Sequence, residues 1–191
     1  MLEVLKSLNW VDIFTIFLIL RLCYIAVDKG LPIEISKFFS TIFAIYLSLH
    51  YYLVFGGIMR GKAEPTEIAA DFFDLVAFGL LFAAGYLTFV VIRKVFLREP
   101  KEGAASLVQR LACIIAGLVR GVLLVSLISY LLLISGVDYF KKSVIESYSA
   151  KYIVKAAPGT YSFLWYNIIS KFANNEEHNL SVAEVTQDTV K

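Results

Sequence analysis

Charged residues divide this chain into long apolar runs. The stretches 38–59, 75–92 and 121–137 contain no Asp, Glu, Lys or Arg, and each is close to the ~20 residues that cross a ~30 Å hydrocarbon core. A further run, 11–27, is comparably apolar although it carries two charges. The pattern therefore predicts four membrane-spanning helices, over about 11–27, 38–59, 75–92 and 117–137.

The prolines support this division of the chain. Pro32, Pro65, Pro100 and Pro158 all lie between or after the predicted spans, where a missing N–H group does not interrupt a helix. The apolar runs also lack the alternation of polar and apolar residues that is typical of a membrane β-barrel. We therefore predict an all-α integral membrane protein whose four transmembrane helices lie within 1–137.

The region after the last span has a different pattern. Apolar side chains recur there at helical spacing, which predicts a C-terminal amphipathic interfacial helix after Pro158 and Gly159. The pattern leaves open whether its apolar face binds the membrane interface or packs on the spans or on another subunit. We assign 138–172 to this amphipathic extramembrane region and expect 173–191 to be a disordered tail. The apolar face consists of Tyr161, Leu164, Trp165, Ile168, Ile169 and Phe172.

The composition agrees with a membrane protein and excludes other classes. Of the 191 residues, 59% are hydrophobic and only 18% are charged, and a soluble domain of this size cannot hide so much apolar surface. Lys and Arg number 18 against 16 Asp and Glu, a net charge of +2. Because this charge is small, we expect no binding to nucleic acid.

The sequence contains no motif for catalysis or for a cofactor. It lacks a P-loop, G-x-G-x-x-G, H-E-x-x-H and C-x-x-C. His50 lies in an aromatic run and is expected to be packed or interfacial, whereas His178 lies in the polar tail. Cys23 and Cys113 lie in apolar runs without metal-type spacing. We therefore expect no enzymatic activity, no metal and no cofactor.

Basic residues in the short loops predict the orientation. The loop between the last two predicted spans is the most basic, and the loop between the first two also carries lysines. Because short cytoplasmic loops are enriched in Lys and Arg, both loops are predicted to be cytoplasmic. The two termini are then expected outside.

A few charges fall inside or beside the predicted spans, where they are costly and often functional. Arg120 has two interpretations. Either the last span begins near Gly117 and the arginine reaches the phosphate headgroups, or it is buried and paired with an aspartate from another helix. Arg21 poses the same question. The full set of such charges is Asp12, Arg21, Asp28, Asp74 and Arg120.

Small residues recur every four positions on two of the predicted helices. Cys113, Gly117 and Gly121 share one face of the last span, and Gly79 and Ala83 repeat the spacing on the third. Small residues at this spacing let two helices approach closely. We favour packing of the third helix on the fourth, although an interface between subunits gives the same pattern.

Three short segments carry a family likeness. They are Asn9-Trp10-Val11-Asp12, the turn 29–34 with its basic-Gly-x-x-x-Glu pattern, and 109–121 with its Arg-Leu and Gly-x-x-Arg-Gly elements. In this order, and with four spans, the chain resembles the colicin V production protein (CvpA) family over about 9–137. Gln109 stands where that family usually has Asp, and Cys113 where it usually has Gly. The matched positions are Lys29, Gly30, Glu34, Arg110, Gly117, Arg120 and Gly121.

The resemblance implies a function as well as a fold. It implies a multi-pass protein of the bacterial inner membrane that takes part in toxin (bacteriocin) production or export and in envelope maintenance, as a non-enzymatic component. The expected partners are the lipid bilayer and further copies of the chain or other membrane proteins. The alternative is a small oligomeric channel or transporter with the intramembrane charges along its path.

Overall fold

A computed structural model describes residues 9–61, 67–96, 106–172 and 176–188 of the chain, and within these ranges all regular structure is helical. The predicted all-α class is therefore confirmed. The long helices are α1 (Trp10–Lys29), α2 (Leu31–Arg60), α3 (Glu67–Phe96) and α4 (Leu107–Leu133). The shorter elements are α5 (Asp138–Glu146), α6 (Tyr148–Ile153), α7 (Ala156–Asn167), a 3₁₀ turn (Ile169–Lys171) and α8 (Ser181–Asp188).

The four predicted spans are confirmed as helices. The first three extend beyond the predicted bounds at both ends, whereas the fourth begins earlier, at Leu107, and ends at Leu133 rather than at 137. Four segments are long and apolar enough to cross a membrane. The helices continue past the charges that limited the prediction, since a charge at a helix end does not stop the helix. At 1.5 Å per residue, the 30 residues of α2 extend for about 45 Å, which exceeds the hydrocarbon core. The segments are Trp10–Lys29, Leu31–Arg60, Ala70–Lys94 and Leu107–Leu133.

Local sequence sets the helix boundaries. Asn9 caps α1 in a reciprocal pair with Asp12, and Ser106 caps α4 in the same way with Gln109. Gly30 separates α1 from α2 with a φ of +81°. A side chain there is strained, because only glycine adopts this conformation freely.

The long helices pack in pairs. α2 and α3 form a long antiparallel hairpin, α1 packs mainly on α4, and α2 also packs on α4. The order across the bundle is therefore α3, α2, α4 and α1. Because α2 and α4 are neighbours in the middle, side chains between them are the most shielded from lipid.

The C-terminal elements complete the bundle. α7 packs on both α2 and α4, and α6 packs on α1 and α4. The main core lies where these elements meet the spans, around Tyr130 of α4. Its other buried members include Ile45, Leu49, Tyr52, Phe78, Leu127, Tyr161 and Val182.

The predicted interfacial helix differs from the observed one. α7 starts at Ala156, before Pro158, and ends at Asn167. A proline in the first turn is tolerated because its N–H would have no partner in the helix. The predicted apolar face is thus divided: Tyr161 and Trp165 are buried against the spans, whereas Phe172 is 85% exposed. Of the remaining predicted face, Leu164 and Ile169 are partly buried and Ile168 is exposed.

The expectation of disorder over 173–191 is wrong for the part of this tail that the structure describes. The helix α8 forms there, and Val182 is only 1% exposed. Val182 belongs to the core of the bundle, and Val185 packs against it. Two valines within a polar segment were too weak a signal to predict this helix, which is stabilised by burial rather than by composition.

Candidate functional site

Asp12 joins the first span to the C-terminal region. Its side chain is 1% exposed and accepts hydrogen bonds from the hydroxyl of Ser147 at 2.8 Å and from the backbone N–H of Ser149 at 2.7 Å. The Ser149 hydroxyl donates at 2.5 Å, and the N–H of Asn9 donates to Oδ2 at 3.0 Å. A carboxylate with this many donors is stabilised in its charged form. Asp12 therefore fixes the junction between α5 and α6.

Arg120 forms a buried ion pair with Glu34 of α2. The two side chains are 2% and 0% exposed, and Arg120 Nε lies 2.7 Å from Glu34 Oε1. Lys37 Nζ lies 3.5 Å from the other carboxylate oxygen. The distance from Arg120 Nε to Glu34 Oε1 is that of a salt bridge, but the Nε–H bond does not point at this oxygen closely enough for a hydrogen bond. Among the described residues, Arg120 Nη2 has no hydrogen-bond partner.

This pair corrects the sequence prediction for Arg120. Arg120 does not reach the headgroups, because it is buried, and its partner is none of the three aspartates. Glu34 was predicted as a motif residue but was placed outside the spans, since it follows the polar turn at Gly30. The alignment of α2 with α4 brings the two motif residues together, and this alignment cannot be read from spacing within either helix.

The small residues of α4 face α1. A Cβ atom added at Gly117 would lie 2.8 Å from the Ala26 Cβ and 3.1 Å from the Cys23 Cα, and one at Gly121 would lie 3.4 Å from the Ile19 Cα. These glycines therefore allow close helix packing, as predicted. The favoured partner was wrong, because the contact is with α1 rather than α3. Cys113 of the same motif is also buried.

Gly79 and Ala83 do not mark a close contact. A Cβ at Gly79 would meet nothing within 4 Å, and Ala83 is exposed. Gly79 instead lines an apolar groove of about 90 Å³ between α3 and α4. The prediction that α3 packs tightly on α4 at this position is therefore wrong.

Several predicted charges lie on the outer surface. Arg21 is exposed, with its guanidinium 5.9 Å from the Tyr24 ring centre. Asp28 is exposed and lies 3.3 Å from Lys29. Arg110, near the start of α4, is exposed as well. These residues do not converge with Arg120 on a common path through the bundle.

Asp74 belongs to the α2–α3 hairpin. It forms an ion pair with Arg60 near the end of α2. The backbone of α2 approaches this carboxylate closely at Gly56, where a Cβ atom would overlap the Asp74 side chain. Asp74 therefore links the two helices of the hairpin and is remote from the Arg120 pair.

An aromatic and histidine cluster lies where the segment 176–179 meets α2. His50 Nδ1 is 2.9 Å from the Tyr161 hydroxyl, and His50 Nε2 is 3.3 Å from Glu176 Oε2. The Trp165 ring stacks on His50 with centroids 5.1 Å apart. His50 is packed, in accordance with its predicted role. The contact with Glu176 was not predicted, because the sequence offered no signal that the tail returns to the bundle.

His178 and Tyr161 form the outer part of this cluster. The two rings stack with centroids 5.1 Å apart, and Ser162 Oγ lies 3.4 Å from His178 Nε2. Burial raises the pKa of Tyr161 to about 12 and lowers the pKa of His178. Both side chains are therefore neutral at neutral pH.

Within the described parts of the chain, no group of three or more His, Cys, Asp or Glu side chains is placed to hold a metal ion. The polar sites that the fold does assemble are the Asp12 junction, the Arg120 pair and the His50 cluster.

Comparison with known proteins places this arrangement in a family. A family model described as Colicin V production protein matches residues 11–158. The match includes all four long helices, the Asp12 junction and the first turn of α7. No curated protein and no solved structure matches the chain.

Proposed function

The chain belongs to the colicin V production protein family, and we propose that it is a non-enzymatic inner-membrane component of toxin production or export and of envelope maintenance. It is a multi-pass membrane protein with four apolar helices. In the proposed role it acts by contact with partner proteins and lipid rather than by chemistry on a substrate.

The observation that supports this role best is the junction at Asp12. The carboxylate connects the C-terminal region to the first span by accepting hydrogen bonds from Ser147 and Ser149. The C-terminal region is therefore packed against the transmembrane helices. α5 and α6 present exposed aromatic and apolar side chains, as a contact surface for a partner or for the membrane interface requires. These side chains are Tyr139, Ile145, Tyr148 and Tyr152.

Replacement of Asp12 tests the proposal. In cells that depend on this gene for toxin secretion, Asp12→Asn should reduce secretion strongly, because the amide is uncharged and cannot accept all of the donors around Asp12. Asp28→Asn is the matched control, since it removes the same charge from an exposed position on the same helix. Normal secretion with Asp12→Asn protein at normal membrane abundance would contradict the role of the junction.

The proposed location and orientation need a separate test. Single cysteines at positions 64 and 106, in a protein with Cys23 and Cys113 replaced by alanine, can be probed with an impermeant thiol reagent in intact cells. We expect labelling at position 64 and none at position 106, because the loop at 106 is predicted to be cytoplasmic. The reverse pattern would invert the orientation.

The alternative of a small oligomeric channel rests on the Arg120–Glu34 pair, since a buried intramembrane charge pair is a common feature of ion paths. Ion flux through liposomes containing the purified protein should then exceed that of empty liposomes. The double variant Glu34→Gln/Arg120→Gln should lose the flux, while the exposed pair of Asp28 and Lys29 should be dispensable. Equal flux in protein-containing and empty liposomes would eliminate this alternative.

A further inference from the structure

A cleft of about 320 Å³ opens between α2 and the segment that precedes α8. Its volume falls at the lower end of the range for small-ligand sites. One wall is the end of the aromatic run of α2, and the other is the chain that returns from α7. The lining residues are His50, Tyr51, Leu53, Val54, Glu176, Glu177 and Asn179.

The cleft has an excess of negative charge. Among the described residues that line the cleft, two carry carboxylates, Glu176 and Glu177, and none is Lys or Arg. Glu176 accepts a hydrogen bond from the Tyr51 hydroxyl at 2.7 Å and has the His50 contact, but among the described residues neither glutamate pairs with Lys or Arg. The α2 wall belongs to the charge-free run 38–59, so this run supplies no cation that could balance the two glutamates.

The walls of the cleft select the type of cation. Tyr51 supplies an aromatic ring, and the face of such a ring attracts an ammonium group. Leu53 and Val54 supply apolar contacts for carbon groups on the cation. A divalent metal ion prefers a cage of oxygen ligands, and three of the seven described lining side chains, those of His50, Leu53 and Val54, carry no oxygen. We propose that the cleft binds an ammonium group carried by an organic molecule, either a lipid headgroup or a small soluble amine.

The site is held in place before any ligand arrives. The Asn179 side chain donates to the Leu49 carbonyl at 2.8 Å, and its backbone N–H donates to the Tyr161 hydroxyl at 3.0 Å. Tyr46 also lies 3.5 Å from Glu176. Because these contacts fix the segment 176–179, the carboxylates are presented in one arrangement, which reduces the entropy lost on binding.

Tryptophan fluorescence provides a direct test on the full chain. The protein has two tryptophans, so Trp10→Phe leaves Trp165, stacked on His50, as the only reporter. Titration of this protein in uncharged detergent with tetramethylammonium chloride should give a saturable change. Sodium chloride at the same ionic strength should give none. An equal response to both salts, or no response to tetramethylammonium, would overturn the proposal.

Carboxylate variants locate the binding. Glu176→Gln should weaken tetramethylammonium binding about tenfold and Glu177→Gln about threefold, the range expected when one attractive charge is lost near an exposed ligand. Glu146→Gln, an exposed carboxylate on α5, is the matched control and should leave affinity unchanged. Glu177 is exposed, so Glu177→Gln tests the site even if Glu176→Gln detaches the segment 176–179 from α2. Equal affinities for the Glu177→Gln and Glu146→Gln proteins would contradict the assignment.

The source of the ammonium group can then be distinguished. Two sets of nanodiscs with the same fraction of phosphatidylglycerol, and therefore the same surface charge, carry either phosphatidylethanolamine or an uncharged glycolipid as the second lipid. A lipid headgroup in the cleft would compete with tetramethylammonium in the phosphatidylethanolamine nanodiscs and lower its apparent affinity there. Competition supports a lipid ligand, and equal affinity in the two sets of nanodiscs supports a soluble amine. This site does not depend on the proposed role in toxin production, because binding is measured on the purified protein.

Discussion

Two regions of the molecule are packed in different ways. One is the α2–α3 hairpin, and the other is the region where α1 and α4 contact the C-terminal elements. The hairpin depends on close contact between small residues. A Cβ atom at Gly85 would lie 2.9 Å from the Ala44 Cα, which is a backbone atom, and Ala44 itself is fully buried. Backbones that approach this closely maximise van der Waals contact, the main source of helix association within a membrane.

The C-terminal region is instead held to the spans by polar anchors. Ser126 of α4 donates to the Val154 carbonyl at 2.8 Å and accepts from the Ala157 N–H at 2.8 Å. Asp12 holds the α5–α6 junction at the start of the first span. Each anchor satisfies backbone groups of short elements that have few helical hydrogen bonds of their own.

The difference predicts different sensitivities. Apart from the Arg60–Asp74 ion pair, the hairpin should tolerate the loss of a polar atom but not added volume. The C-terminal region should tolerate small changes in volume but not the loss of an anchor, because an unpaired buried polar group retains its desolvation cost. The Arg120–Glu34 pair joins α4 to α2 and so connects the two regions.

Loss of one charge at this connection should have the largest effect. Arg120→Met leaves the Glu34 carboxylate buried with Lys37 as its remaining ion-pair partner among the described residues, and we expect the free energy of unfolding to fall by about 3 to 5 kcal/mol. Unfolding in mixed micelles measures this cost. The double variant Glu34→Met/Arg120→Met removes both charges and should recover most of it. A double variant less stable than Arg120→Met would show that the pair is not what destabilises the single variant.

Asp12→Asn should have the next largest effect, confined to the C-terminal region. Loss of a charge-assisted hydrogen-bond network costs about 2 to 3 kcal/mol, so amide hydrogen exchange over 138–153 should accelerate while exchange in α2 and α3 stays unchanged. Asp28→Asn should leave exchange in both regions unchanged. Uniform acceleration across the hairpin would contradict the division into two regions.

The hairpin itself can be tested with two glycines of the same helix. Gly85→Ala places a Cβ against the Ala44 backbone and should destabilise the protein by about 2 kcal/mol. Gly79→Ala enters open space and should be neutral or slightly stabilising, because alanine has the higher helix propensity. Thermal unfolding in detergent compares the two variants. Equal effects would mean that close packing at Gly85 is not what holds the hairpin.

The sequence was sufficient for the spans but not for their partners. Three charge-free runs and one apolar run with two charges identify the four long helices, because the cost of burying charge in lipid acts on each helix separately. Pairing depends on how one helix aligns with another. For this reason the spacing at Gly117 and Gly121 indicated close packing without showing that the neighbour is α1, and the same spacing at Gly79 marks a groove.

The polar parts of the site were the hardest to predict. Asp12 and Arg120 were identified by their position in apolar runs, which is a local property. Their partners, Ser147 and Glu34, lie in polar segments where such residues are common and carry no signal. Glu176 could not be connected to His50 because more than a hundred residues separate them in the chain and the tail was expected to be disordered.

The smallest predicted effect is that of the hydroxyl anchor in α4. Ser126→Ala removes the acceptor of the Ala157 N–H and the donor to the Val154 carbonyl in a buried position, which should cost about 1 to 1.5 kcal/mol and accelerate exchange of the Ala157 amide. Thr88→Ala is the matched control, since its exposed hydroxyl donates to the Ala84 carbonyl of its own helix and its loss should change stability by less than about 0.5 kcal/mol. If both variants lower the free energy of unfolding by the same amount, the lost hydroxyl would act through helix stability in general and not through the C-terminal region. A larger cost for Ser126→Ala, with exchange accelerated in α7 and not in α3, would show that the C-terminal region is held by this polar anchor.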